Sequence, residues 1–173
     1  TTGLFDLDGI DDDDDANRAR FGAYAGAAHL GKVIQDHFPG RGDRVPRNTQ
    51  IIVTFREPML LESLILDSNE SGELGDCVAG VCDSVNAENM QIALAELAND
   101  GPYLEDVDVF VAGEGRTFTF VPRNFLGEPG VESRYSVRFA SGVKRANGED
   151  AFSGMNPNYT WTFTITGESD DTP

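Results

Sequence analysis

From about Lys32 onward the apolar residues recur at every second position in short runs, the spacing of half-buried strands rather than of helices. Residues 133–139 alternate strictly, with Tyr135, Val137 and Phe139 in one phase; residues 160–166 repeat this with Trp161, Phe163 and Ile165. Two further runs, 107–111 and 117–121, flank Gly113-Glu114-Gly115 and predict a hairpin. Residues 49–55 are rich in β-branched side chains, follow the turn-forming Val45-Pro46-Arg47-Asn48, and are stopped by Pro58. Residues 60–66 form a short apolar run and 67–76 a polar loop, whereas 90–97 alternate only in part and are expected to be strand from their context. Residues 142–158, with Gly148, Gly154 and Pro157, read as a long connection. About seven strands with polar outer faces, and no long helix, predict an all-β fold: an antiparallel β-sandwich.

The leading stretch breaks this pattern. Residues 1–17 have little to bury beyond Leu4, Phe5, Leu7 and Ile10, and residues 18–30 are small and mildly apolar. Periodicity does not decide between helix and strand for the latter. The expected organisation is an N-terminal extension at 1–31, a sandwich at 32–168 and a short tail at 169–173. With Thr1 first and no basic-plus-apolar leader in view, a leader has been removed or the chain is part of a longer product.

Several of these segments resemble the bacterial Ig-like domains of the SbsA type, first recognised in S-layer proteins. Residues 45–59 are similar to the family's opening proline turn and strand, and Phe118-Thr119-Phe120-Val121-Pro122 to its middle strand. Tyr135-Ser136-Val137-Arg138-Phe139, with Gly142-Val143-Lys144 and Asn147-Gly148 after it, resembles the penultimate strand and its turn; Trp161-Thr162-Phe163-Thr164 resembles the last. The matches fall in family order across residues 38–167. A cysteine-bearing insertion between Leu66 and Met90, and everything before Lys32, depart from it. The resemblance implies an Ig-like sandwich serving as an exported surface or extracellular module, and it brings no catalytic residues.

Composition changes the picture through charge alone. Apolar residues make up 39% and charged residues 25%, both ordinary, but 30 acids against 13 bases give −17 and a pI near 4.2. Nucleic-acid binding is disfavoured and not expected, because no basic surplus exists to displace counterions. An anionic membrane surface repels such a chain, and no apolar run is long enough to insert.

The acidity concentrates in Asp11–Asp15 and its flanks, and residues 6–15 hold seven aspartates. With Gly9 at the sixth position of a calcium loop, Asp6, Asp8, Asp12 and Asp15 occupy positions 3, 5, 9 and 12, as in EF-hand and thrombospondin type 3 loops. Leu4 stands where the first carboxylate belongs, and a solvated acidic tail is the competing reading. Calcium is thus an expected cofactor. Cys77 and Cys82 flank Gly80 in a loop-like stretch. A disulfide is favoured over a zinc half-site or free thiols, since the only histidines are His29 and His37. It points to an oxidising, extracellular location.

A sandwich has exposed edge strands that accept a strand from another chain. The extension supplies one through Phe21, Ala23, Ala25, Ala27 and Leu30, joining copies of the chain head to tail as a filament or surface layer; folding back on its own domain is the competing reading. Asn69 and Asn158 open Asn-x-Ser/Thr triplets and are candidate glycosylation sites, and Arg41-Gly42-Asp43 spells an adhesion tripeptide that is more simply a turn. An alternative function is carbohydrate binding or adhesion, with Tyr103, Phe152 and Tyr159 as loop aromatics and surface glycans as partners. No Gly-x-Ser-x-Gly elbow, His-Glu-x-x-His or phosphate loop is present, so catalysis is not expected.

Overall fold

The computed structural model describes residues 33–152 and 159–169. The chain divides between Gln35 and Asp36 into two units, and the sheets belong to the second apart from the first two residues of one strand. The strands are β1 (Ile34–Phe38), β2 (Arg44–Val45), β3 (Ile51–Phe55), β4 (Ile65–Leu66), β5 (Cys77–Val78), β6 (Val81–Cys82), β7 (Ser84–Val85), β8 (Met90–Leu94), β9 (Val107–Ala112), β10 (Thr117–Pro122), β11 (Ser133–Phe139) and β12 (Tyr159–Ile165). Single 3-10 turns cover Leu61–Ser63 and Ala95–Leu97. Seven of the strands have five residues or more and the other five are two-residue pieces. Six of the long ones fall on expected runs, β1 was not expected, and the apolar run at 60–66 holds only a 3-10 turn and the two-residue β4.

The long strands form where alternation is cleanest. In β3, Ile51, Val53 and Phe55 are fully buried while Ile52 and Thr54 are half-exposed. β10 pairs antiparallel with β3 (Phe118 opposite Val53) and with β9 (Phe120 opposite Val109), so Phe118 and Phe120 enter the core. β11 lies antiparallel between β12 and β8, with Val137 opposite Trp161 and Ile92. The result is two facing sheets, ordered β1-β3-β10-β9-β7-β4 and β2-β12-β11-β8, with β5-β6 a separate hairpin. Between them Phe55 meets Phe118 and Phe139 edge-on at 5.7 and 5.5 Å, and Phe139 lies 6.0 Å from Trp161. Burying a ring of this size contributes about 1.5–3 kcal/mol, so these aromatics dominate the fold's stability.

One pairing departs from the antiparallel expectation. β2 runs parallel to β12, Arg44 opposite Thr164 and Val45 opposite Ile165. The cause is the route of the chain: β1 lies in the other sheet, and the turn at residues 39–43 carries the backbone across to run beside the last strand. Four backbone bonds extend the ladder: Gly42 to Thr162, Thr164 to Asp43, Thr166 to Val45 and Arg47 to Glu168, at 2.5–2.9 Å. Residues 90–97, ambiguous in sequence, become β8 followed by a 3-10 turn.

Candidate interaction surface

His37 in β1 stacks on Trp161, ring centroids 3.8 Å apart. Its Nδ1–H donates to the Pro39 carbonyl at 2.8 Å, which leaves Nε2 to accept from the Tyr159 hydroxyl at 3.3 Å. Arg41 lies over the Tyr159 ring and donates to the same hydroxyl at 3.2 Å. Burial pushes the imidazole below its ordinary pKa, so it sits neutral as a packing group. Tyr159 and Phe152 are therefore core residues, 6% and 8% exposed, and not the loop aromatics of a sugar platform. The alternation of β12 simply continues back to residue 159.

The Arg41-Gly42-Asp43 tripeptide occupies a tight turn, with Asp43 N–H donating to the Gly40 carbonyl and Gly40 N–H to the Asp43 carboxylate at 2.7 Å. Both of its charged ends are engaged by the protein itself.

The insertion at residues 67–83 is held by many hydrogen bonds of its own. Cys77 and Cys82 are disulfide-bonded across β5-β6, and Gly80 takes φ 83° in the two-residue turn. Asp83 is fully buried and anchors the loop: its carboxylate accepts from Gly75 N–H at 2.8 Å and, at 3.4 Å, from those of Asn69 and Asp76. Gly75 packs so closely that an added Cβ would lie 2.5 Å from Val111 Cγ1. The Asn69 amide donates to the Asp76 carboxylate at 2.8 Å and to the Val81 carbonyl at 3.1 Å. That bond, followed by one from Ser71, holds the Asp76 carboxyl below its ordinary pKa. Attaching a glycan to Asn69 Nδ2 would break these contacts.

Asp67, Asn69 and Ser71 stand at alternate positions before Gly72, the order of donors that opens a calcium loop. Here the Asp67 carboxylate faces the loop's own N–H groups, those of Ser71 at 3.0 Å and Gly72 at 2.9 Å. Among the described residues no group of three or more His, Cys, Asp or Glu side chains is placed to hold a metal ion. The expected calcium ligands Asp6, Asp8, Asp12 and Asp15 lie outside the described residues, as do Phe21, Ala23, Ala25, Ala27 and Leu30 and the glycosylation candidate Asn158.

Beside this loop the surface turns apolar: Leu66, Val78 and Val81 are each about half exposed. Leu66 and Val81 line a hollow of about 590 Å³ together with Val85, Glu88, Glu105 and Arg123. Glu105 and Asp106 also border a second hollow of about 430 Å³, walled by Tyr103, Phe125 and Tyr135. Sequence reasoning passed over this surface because it is assembled from three separated loops; the only signal was the unexplained apolar character of 77–82 and of Phe125.

No family model matches this chain, and no curated protein matches it in sequence. Among solved structures, the crystal structure of the S-layer protein rSbsC(31-844) is similar, with a TM-score of 0.41 and 20% sequence identity. The match covers 76% of this chain but 13% of that one, so this chain spans a small fraction of its length.

Proposed function

We propose that this chain is a non-catalytic structural subunit of an extracellular surface assembly, a filament or surface layer, joined by strand addition of its N-terminal extension to a neighbouring sandwich. The observation that carries this reading is the exposed apolar surface at Leu66, Val78 and Val81 beside the open β4 end of a sheet, on a protein of charge −17. Copies so charged repel one another, and an uncharged patch at a sheet edge is where a partner approaches at least cost. The Cys77–Cys82 disulfide supports an oxidising, extracellular setting. Calcium at Asp6, Asp8, Asp12 and Asp15 is the proposed aid, neutralising the run that would otherwise oppose assembly.

Sedimentation and negative-stain microscopy of the full chain and of a variant lacking residues 1–31 test the proposal. The full chain forms large particles that shrink when calcium is chelated, whereas the shortened chain remains a folded monomer. Polymerisation of the shortened chain would remove the extension as the connector.

A further inference from the structure

The two hollows share Glu105 and Asp106 in their linings, and this pair of hollows, the trough, carries aromatic side chains in one and aliphatic side chains in the other. Two of its aromatic side chains are held by hydrogen bonds. The Tyr103 hydroxyl donates to the Ala98 carbonyl at 3.0 Å and accepts from Arg138 at 3.1 Å, and the Tyr135 hydroxyl accepts from Gly127 N–H at 2.9 Å. Phe125 stays 54% exposed, with the Arg47 guanidinium 5.7 Å from its ring centre.

The acids on the rim are not equivalent. Asp106 shares Arg123 with Asp108, at 3.6 and 2.6 Å. Glu88 and Glu105 are exposed and pair with no base among the described residues. Aromatic walls bordered by unpaired carboxylates select a segment that carries arginines beside rings, because guanidinium groups bind carboxylates and stack on aromatic faces.

This chain contains such a segment. Residues 16–35 include no acid, and within them Arg18, Arg20, Phe21 and Tyr24 bring bases and rings together. Of the 30 acids seven lie in 6–15, and of the 13 bases three lie in 18–32, leaving 23 acids and 10 bases beyond Lys32, a balance of −13. A segment of charge +3 is thus drawn to a body of charge −13. Resting on the assembly proposed above, we infer that the trough at Glu105 and Asp106 is the acceptor for residues 18–24 of a second copy. Arg18 and Arg20 meet Glu88 and Glu105, and Phe21 lies against the aromatic wall.

A charge swap in the full chain tests this, with size read by sedimentation velocity across a concentration series at fixed ionic strength. Circular dichroism and the emission of the single tryptophan verify that each variant is folded. Glu105→Arg and Arg20→Glu each weaken association about tenfold or more, the effect of reversing one charge in a close pair, and the double variant regains most of it. If Glu105→Arg assembles like the parent, the trough is not the acceptor, although the assembly itself stands. Loss in both single variants without recovery in the double also overturns the pairing. A parent chain that stays monomeric at high concentration removes both this inference and the assembly on which it rests.

Discussion

His37 and Asp83 show how single side chains hold this surface. In the unfolded chain the imidazole titrates near 6.5, and burial against Trp161 lowers that value in the fold. The unfolded state therefore binds more protons as pH drops, and stability declines from about pH 6.5 down through the lowered folded pKa before levelling off. Urea midpoints between pH 7.5 and 5 follow that course, and a His37→Phe variant flattens it; an unchanged slope in the variant would assign the effect elsewhere. Asp83 acts by hydrogen bonding. Replacing it with Ala leaves the Gly75, Asn69 and Asp76 N–H groups without their acceptor, at a cost of about 2–3 kcal/mol in denaturant unfolding. Asp83→Asn, which keeps an oxygen in place, costs less. Neither role was legible beforehand: a histidine just after Asp36 looks like surface, and Asp83 finds its partners seven or more residues back along the chain.

At the level of the strand, legibility followed length. Where a run of five to seven residues shows a period of two, the phases of Tyr135, Val137 and Phe139 and of Trp161, Phe163 and Ile165 predicted burial correctly, whereas β1, which buries Ile34 but has no such period, escaped notice. Two-residue strands such as β4 and β7 have no period to read; β7 exists because β9 offers it an edge at Asp108 opposite Ser84, and β4 because β7 in turn offers it one. The parallel β2 escaped notice for the same reason. The disulfide hairpin is a local brace: closing so short a loop limits the unfolded chain by about 2 kcal/mol. Reduction should therefore lower the thermal midpoint by several degrees while the two-sheet core still folds, as amide exchange in β10–β12 would register. Collapse of exchange protection in those strands would make the hairpin integral to the core.

For the whole molecule, charge governs encounter. At an ionic strength near 10 mM fields reach about 30 Å, and at 0.15 M about 8 Å. Copies of charge −17 are held apart in the first case, so assembly yield measured by light scattering should rise between the two. A yield that falls throughout would mean that close ion pairs outweigh the global repulsion. The trough at Glu105 and Asp106 belongs to this scale as well, since it exists only once the loops at 66–88, 103–106 and 122–127 have been brought together. Its residues looked unremarkable along the chain because no periodicity links them.

The parallel contact between β2 and β12 has a mechanical consequence. Tension that enters at the Gly40 turn and leaves at Glu168 pulls these neighbouring strands in opposite directions along their common axis. The four rungs from Gly42 to Arg47 then bear load in shear, all at once, where an antiparallel pair tugged from its open end would unzip one rung at a time. A sandwich built this way resists stretching along the line from entry to exit, which is the direction in which a thread of linked copies would be strained.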